Sequence, residues 1–200
     1  MARREDGRRV PAREGRSEMR ERASRFLGVA FRASTDASAR ARVRELEREF
    51  HDATHVAFAW RIGASRRAAD AGEPAGTAGK PILAAIEAAG LDEAAVAVVR
   101  WFGGTKLGTA GLARCYRDAA RAALAAAGAE DVFDAIELVV ETTYANVAAV
   151  RRLVDPPDVR MVDEEFSGAA RFRLSVRTSR VPGIERELSE KRIACRRSPP

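Results

Sequence analysis

Two glycine-rich stretches carry the residues of this chain best suited to chemistry. The first runs Gly72-Glu73-Pro74-Ala75-Gly76-Thr77-Ala78-Gly79-Lys80-Pro81 and stands before a helical pattern. Backbone N–H groups in such a loop can point at an anion, a helix start favours negative charge, and Lys80 adds a compact cation. A nucleotide-binding P-loop fails on spacing. Pro74 stands where the first Gly is needed, and Pro81 stands where a magnesium-binding hydroxyl is needed. A tight structural turn and an anion nest are the two readings left for this stretch.

The second stretch is Arg100-Trp101-Phe102-Gly103-Gly104-Thr105-Lys106-Leu107-Gly108, continued through Gly111 to Arg114. It lies between a strand pattern and a helix pattern, as a dinucleotide loop would. Thr105 breaks the Gly-x-Gly register, so that fingerprint is absent. Arg and Lys still suit phosphate, aromatics suit base stacking, and the helix start favours anions. Alternation along the strand predicts that one of Trp101 and Phe102 is buried and the other available. The expected anion- or RNA-binding residues are therefore Glu73, Gly76, Thr77, Gly79, Lys80, Arg100, Trp101, Gly103, Gly104, Lys106, Gly108 and Arg114.

Acid–base chemistry would need Asp70, Glu73, His55 and Lys80 to gather near the first loop. Spacing alone does not bring them together, and His55 at a strand start reads as a hydrogen-bonded structural residue. Cys115 falls on an apolar helix face with Leu112, Ala119 and Ala123, the setting of an inert thiol. Cys115 and Cys195 form no Cys-x-x-Cys pair, and His51 and His55 lack the Glu of a zinc helix. No catalytic residue, metal or cofactor is assigned.

The elements that must position these residues follow from periodicity. The first residues, to about 16, are rich in Arg, Gly, Glu and Pro and predict a flexible tail. Ser17–Arg25 reads as an edge strand leading into a clearer strand at Phe26–Ala33. Thr35 or Asp36 caps a helix to Phe50, with Ala39, Val43, Leu46 and Phe50 on one stripe. His55–Ile62 is a strand, Gly63–Gly79 a long polar loop, and Gly79–Ala89 a helix. Ala94–Phe102 is apolar almost throughout, which predicts a strand covered on both faces. A long helix then ends at Gly128. Beyond it, strand Ala135–Thr143, helix Tyr144–Val154, hairpin Val159–Phe166/Ala169–Thr178, helix Pro182–Arg192 and a short strand at Ile193–Arg196 give a small ferredoxin-like α+β order.

Composition sets the outer limits. The 200 residues are 46% hydrophobic and 32% charged, enough for packed cores with mixed surface charge. The net charge is +6, but residues 1–25 hold nine Arg against five acids, so only +2 remains for everything after Arg25. Any polyanion site must be a local patch. No secretory signal or membrane-spanning run is expected, which points to the cytoplasm.

The two glycine stretches, with Ser24-Arg25-Phe26 and Ala53-Thr54-His55, resemble the hallmarks of the YigZ/IMPACT family over residues 17–128. The resemblance implies an α+β fold of two domains. Residues 1–16 are the tail. Residues 17–130 form an α/β sandwich like the second domain of a small-subunit ribosomal protein. Residues 131–200 form a ferredoxin-like domain similar to one in elongation factor G. Eukaryotic relatives of the first domain regulate translation through the amino-acid-starvation kinase pathway, with an added partner-binding domain for which this chain has no room. The expected function is a translation-linked regulatory or binding protein, favoured over an enzyme, that contacts RNA, the ribosome or a translation factor through the loops. The alternative is an enzyme acting on a small phosphorylated or acidic metabolite.

Overall fold

The computed structural model describes residues 7–198. The chain divides into two compact units, one of residues 8–131 and one made mainly of residues from 132 on. Order begins earlier than composition predicts. Strands β1 (Gly7–Pro11) and β2 (Gly15–Glu21) occupy part of the stretch expected to be a tail through residue 16. Val10 is fully buried, and the Arg9 carbonyl accepts the Asp92 N–H at 2.8 Å. A strand can be ordered by ladder partners far along the chain, which local polarity does not reveal. Residues 1–6, the rest of that expected tail, lie outside the described residues.

β3 (Ser24–Arg32) returns antiparallel to β2, pairing Glu21 with Ser24 and Gly15 with Ala30. Helix α1 (Asp36–Glu49) starts in a capping box: the Thr35 hydroxyl accepts the Ser38 N–H at 3.1 Å. β4 (His55–Ile62) forms as expected. β5 (Ser65–Ala69) then pairs back on β4, inside the stretch expected to be a loop. Its exposed Arg66-Arg67 belong to a sheet edge, where charge blunts an open ladder and erases the alternation that marks a strand. Helix α2 (Gly79–Ala88), strand β6 (Ala94–Trp101) and helix α3 (Gly108–Ala127) complete this part. The five-stranded antiparallel sheet has the order β2-β3-β6-β4-β5.

Central β6 is apolar because helices cover both of its faces. Ala95, Ala97 and Val99 join the core under α1, with Ala39, Val43 and Leu46. Val96 and Val98 join the opposite core, with Ile82 and Ile86 of α2 and Tyr116 and Ala120 of α3. The two-residue period therefore carries Arg100 onto the α2–α3 face. Helix α3 approaches β3 closely enough that a Cβ on Gly28 would stand 2.4 Å from the Ala119 carbonyl oxygen. That contact sets the depth at which α3 presents Tyr116.

β7 (Ala129–Phe133) pairs with β1 in a separate two-stranded ribbon. β8 (Ala135–Thr142), α4 (Val147–Arg151), β9 (Val159–Ser167), β10 (Ala169–Arg177), α5 (Val181–Glu190) and β11 (Ala194–Arg197) follow. Their antiparallel sheet has the order β11-β8-β10-β9, and its core packs Leu138, Val140, Phe172 and Leu174 with Ile184 and Leu188. The helix expected over Tyr144–Val154 is α-helical only at Val147–Arg151. Leu153 and Val154 donate to the carbonyls three residues back, tightening the chain before Pro156-Pro157. Among the described residues, no helix is long and apolar enough to cross a membrane.

Gly28→Ala tests the close approach of α3. It should lower the stability of the residue 8–131 unit by about 1–3 kcal/mol, through overpacking against backbone that cannot yield. A denaturant titration that leaves the midpoint unmoved would show that α3 has room to retreat.

Candidate functional site

The two glycine stretches meet, and what joins them is a buried ion pair. Arg100, at the end of β6, donates through Nη1 to Glu73 Oε1 at 2.6 Å. The side chains are 5% and 2% exposed. Tyr116 of α3 donates its hydroxyl to the same oxygen at 2.6 Å. Arg100 Nη2 reaches Ser24 Oγ at 3.3 Å, while its Nε is buried without a hydrogen-bond partner. His55 stands at the rim. Its Nδ1 lies 2.9 Å from the Ala71 carbonyl, an acceptor only, so the proton sits on Nδ1; Nε2 lies 3.8 Å from Glu73 Oε1. Burial, then the hydrogen bond to Glu73, pushes the Tyr116 phenol up from its ordinary value. Tyr116 is thus a fixed donor and not a base.

The first loop is filled from within. Asp70 Oδ1 accepts the N–H groups of Ala78 and Gly79 at 3.0 and 2.8 Å, and Oδ2 accepts that of Gly76 at 2.8 Å. Partial burial alone would raise the Asp70 pKa. The N–H groups of Gly76, Gly79 and Ala78, with Lys80 nearby, hold it below the ordinary aspartate range. The loop has the donor arrangement of an anion nest, one of the two readings left open, but the anion is a side chain of the same chain. Thr77 is buried, and its hydroxyl donates to the Pro74 carbonyl at 2.7 Å.

The members of the expected binding set differ in how far the fold leaves them open. Glu73, Gly76, Thr77 and Gly79 are committed to internal hydrogen bonds, and Arg100 is paired beneath α3 rather than open to phosphate. Trp101 lies on the α1 side, half-buried. It packs edge-on against Phe50, donates Nε1–H to Asp52 at 2.9 Å and is covered by the Arg25 guanidinium at 3.7 Å. Arg114 is exposed but paired with Glu21 at 3.1 Å. Lys80, Gly104, Lys106 and Gly108 are exposed. Gly103 is exposed as well, but a Cβ there would fall 1.9 Å from the Ala23 carbonyl oxygen, which only Gly permits. Phe102, left out of the expected set, is 44% exposed at the head of this loop.

Of the four groups weighed for acid–base work, His55 and Glu73 do approach, but Glu73 is already held by Arg100 and Tyr116. Cys115 is buried, and burial raises its thiol pKa, which keeps it neutral. Among the described residues, no three His, Cys, Asp or Glu side chains gather to hold a metal. Sequence reasoning missed Tyr116 and Ser24 as partners of the pair. The available signal was the register of β6, which places Arg100 on the same face as Val96 and Val98.

Known proteins share this arrangement of sequence. Residues 22–124 match the Impact N-terminal domain. An IMPACT family member from the pol 5' region of Thermus thermophilus is 40% identical over 151 residues, covering 76% of this chain and 83% of that relative. The Escherichia coli (strain K12) IMPACT family member YigZ is 28% identical over 172 residues, 84% of each chain. The crystal structure of a hypothetical protein matches at 26% identity with a TM-score of 0.68, covering 95% of this chain and 96% of that one. The chain belongs to the YigZ/IMPACT family.

Removing one member of the buried pair should be far worse than removing both. Arg100→Met should cost about 3–5 kcal/mol by stranding Glu73, whereas Glu73→Gln with Arg100→Met should lose much less than the two single changes together. Additive losses in a denaturant double-mutant cycle would contradict the lock. Asp70 predicts a pH dependence. Its folded pKa is depressed, so its contribution is full above the ordinary aspartate value, about 3.9, and is lost as pH falls through the lower folded value. Asp70→Asn should remove that part of the acid sensitivity. Parallel stability curves for the two proteins from neutral pH into acid would refute it.

Proposed function

We propose that this chain is a translation-linked regulatory protein that binds RNA, on or off the ribosome, through the exposed loop after β6. The link to translation rests on the family resemblance. The contact surface rests on one observation. Phe102 presents a 44% exposed aromatic ring in the same exposed loop as Lys106, whose ammonium has no ion pair among the described residues. An unpaired base needs a flat apolar face and its phosphate needs a cation, and this loop offers both within five residues. The Arg22 guanidinium, donating to the Lys106 carbonyl at 3.3 Å, brings further positive charge to the loop. The buried Arg100–Glu73 pair supplies a rigid base for it, with Arg100 within cation–π distance of the Phe102 ring at 5.3 Å.

On this reading the two units play separate parts in the cytoplasm. The residue 8–131 unit is the RNA-facing α/β sandwich, like the second domain of a small-subunit ribosomal protein. The β8-α4-β9-β10-α5-β11 connectivity and the β11-β8-β10-β9 order support a ferredoxin-like second domain. An enzyme acting on a small phosphorylated or acidic metabolite would use both loops as its pocket, and Asp70 already takes three of the first loop's N–H donors.

The two contacts should separate experimentally. Phe102→Ala should weaken binding of a single-stranded RNA about 5- to 150-fold with little change in salt slope, because stacking carries about 1–3 kcal/mol per base. Lys106→Ala should weaken it less and lower the slope of log K against log salt by about one. Unchanged RNA affinity in both variants, with stability shown to be intact, would refute the reading.

A further inference from the structure

A second surface of the residue 8–131 unit has no part in the loop just described. At the C-terminal halves of α2 and α3 lies a groove of about 560 Å³, within the usual range of small-molecule sites. Its apolar wall includes Ala88 and Leu91 on one side and Leu124 on the other. Arg9, Arg117 and Arg121 line it, and no carboxylate does. Arg117 and Arg121 are one helical turn apart on α3 and so share a face. All three are exposed. Among the described residues Arg117 has only Asp118, at 3.7 Å, while Glu87 on the facing helix is held by Arg66 at 3.1 Å.

We infer that this groove binds a small organic phosphate with a flat apolar body. The body lies against Ala88, Leu91 and Leu124, and the phosphate is taken by the guanidiniums of Arg117 and Arg121. Guanidinium forks match phosphate oxygens in geometry as well as charge. Two helix C-termini end nearby and oppose an anion, each with about half a negative charge. Three full positive charges outweigh them. The walls are tied in place: Arg9 by its carbonyl to the Asp92 N–H at 2.8 Å, and Gly128 by its carbonyl to the Ala12 N–H at 3.4 Å. Small side chains at Ala84, Ala85 and Ala88 leave the space open, and a segment of protein helix would need a longer trough than one turn and a half of α2 provides.

The test uses the full chain and 1-naphthyl phosphate as probe, followed by amide shifts and affinity in an NMR titration. The shifts should centre on residues 84–91 and 117–128. Inorganic phosphate and 1-naphthol should each bind at least about tenfold more weakly, since each lacks half of the recognition. Arg121→Ala should weaken the probe about tenfold, the scale of one charge-assisted hydrogen bond. Ala88→Trp should abolish probe binding by filling the groove while leaving RNA affinity unchanged. Shifts centred on the Phe102–Lys106 loop, or probe affinity indifferent to Arg121→Ala in a folded protein, would overturn the assignment. Binding of an acidic helical peptide in the groove with no binding of the probe would overturn it too, in favour of protein docking.

Discussion

Glu73 and Arg100 are 27 residues apart in the chain and meet at 2.6 Å under helix α3. Much of the first unit is arranged by that contact. Arg100 ends the central strand, Glu73 belongs to the loop that opens α2, and Tyr116 adds α3 to the same carboxylate oxygen. One oxygen thus holds three elements. Two ions removed from water are expensive to bury, so a pair of this kind adds little net stability over an apolar filling of the same space. Its value here is positional. An apolar replacement would fill the space, but it would not fix which way the loop closes against the strand end.

The same logic explains why both glycine stretches look like ligand cradles and are mostly architecture. A loop that turns sharply before a helix leaves N–H groups unpaired, and buried N–H groups need acceptors. Asp70 supplies them for Gly76, Ala78 and Gly79. Ser24 does similar work at the second stretch, accepting from Arg100 Nη2 and from the Gly103 N–H at 3.4 Å. What stays open is the tip, Phe102 to Lys106, because it projects past the last ladder pair of β6, Arg25 with Trp101. The proposed RNA contact is drawn from that remainder and not from the motif as a whole.

The second unit follows its sequence more closely. Alternating Leu138 and Val140 in β8, and Phe172, Leu174 and Val176 in β10, read directly as the inner faces of a sheet. Gly168, at φ 79°, turns the hairpin where the Ser-Gly pair predicted it. Misreadings cluster at edges. β1 and β5 are short and rich in Arg, and β7 follows directly on a helix-ending Gly, so none shows an apolar period. Edge strands are ordered by ladders from one side, and a local window does not contain the partner.

Sequence alone determined the family, helix α1 with its stripe and cap, the burial of β6 and the hairpin of the second unit. Each is a matter of local period or of a motif readable in place. It also contained the fate of Arg100, since alternation from Val96 and Val98 sets its face, although charge suggested a surface role. Only the tertiary structure decided what the charged residues do. Whether Glu73 is a ligand or a lock, and whether the Gly76–Gly79 donors await an anion or hold Asp70, depends on which groups arrive from elsewhere in the chain. Electrostatic partners are chosen by distance in space, and the spacing of residues along the chain does not encode that distance.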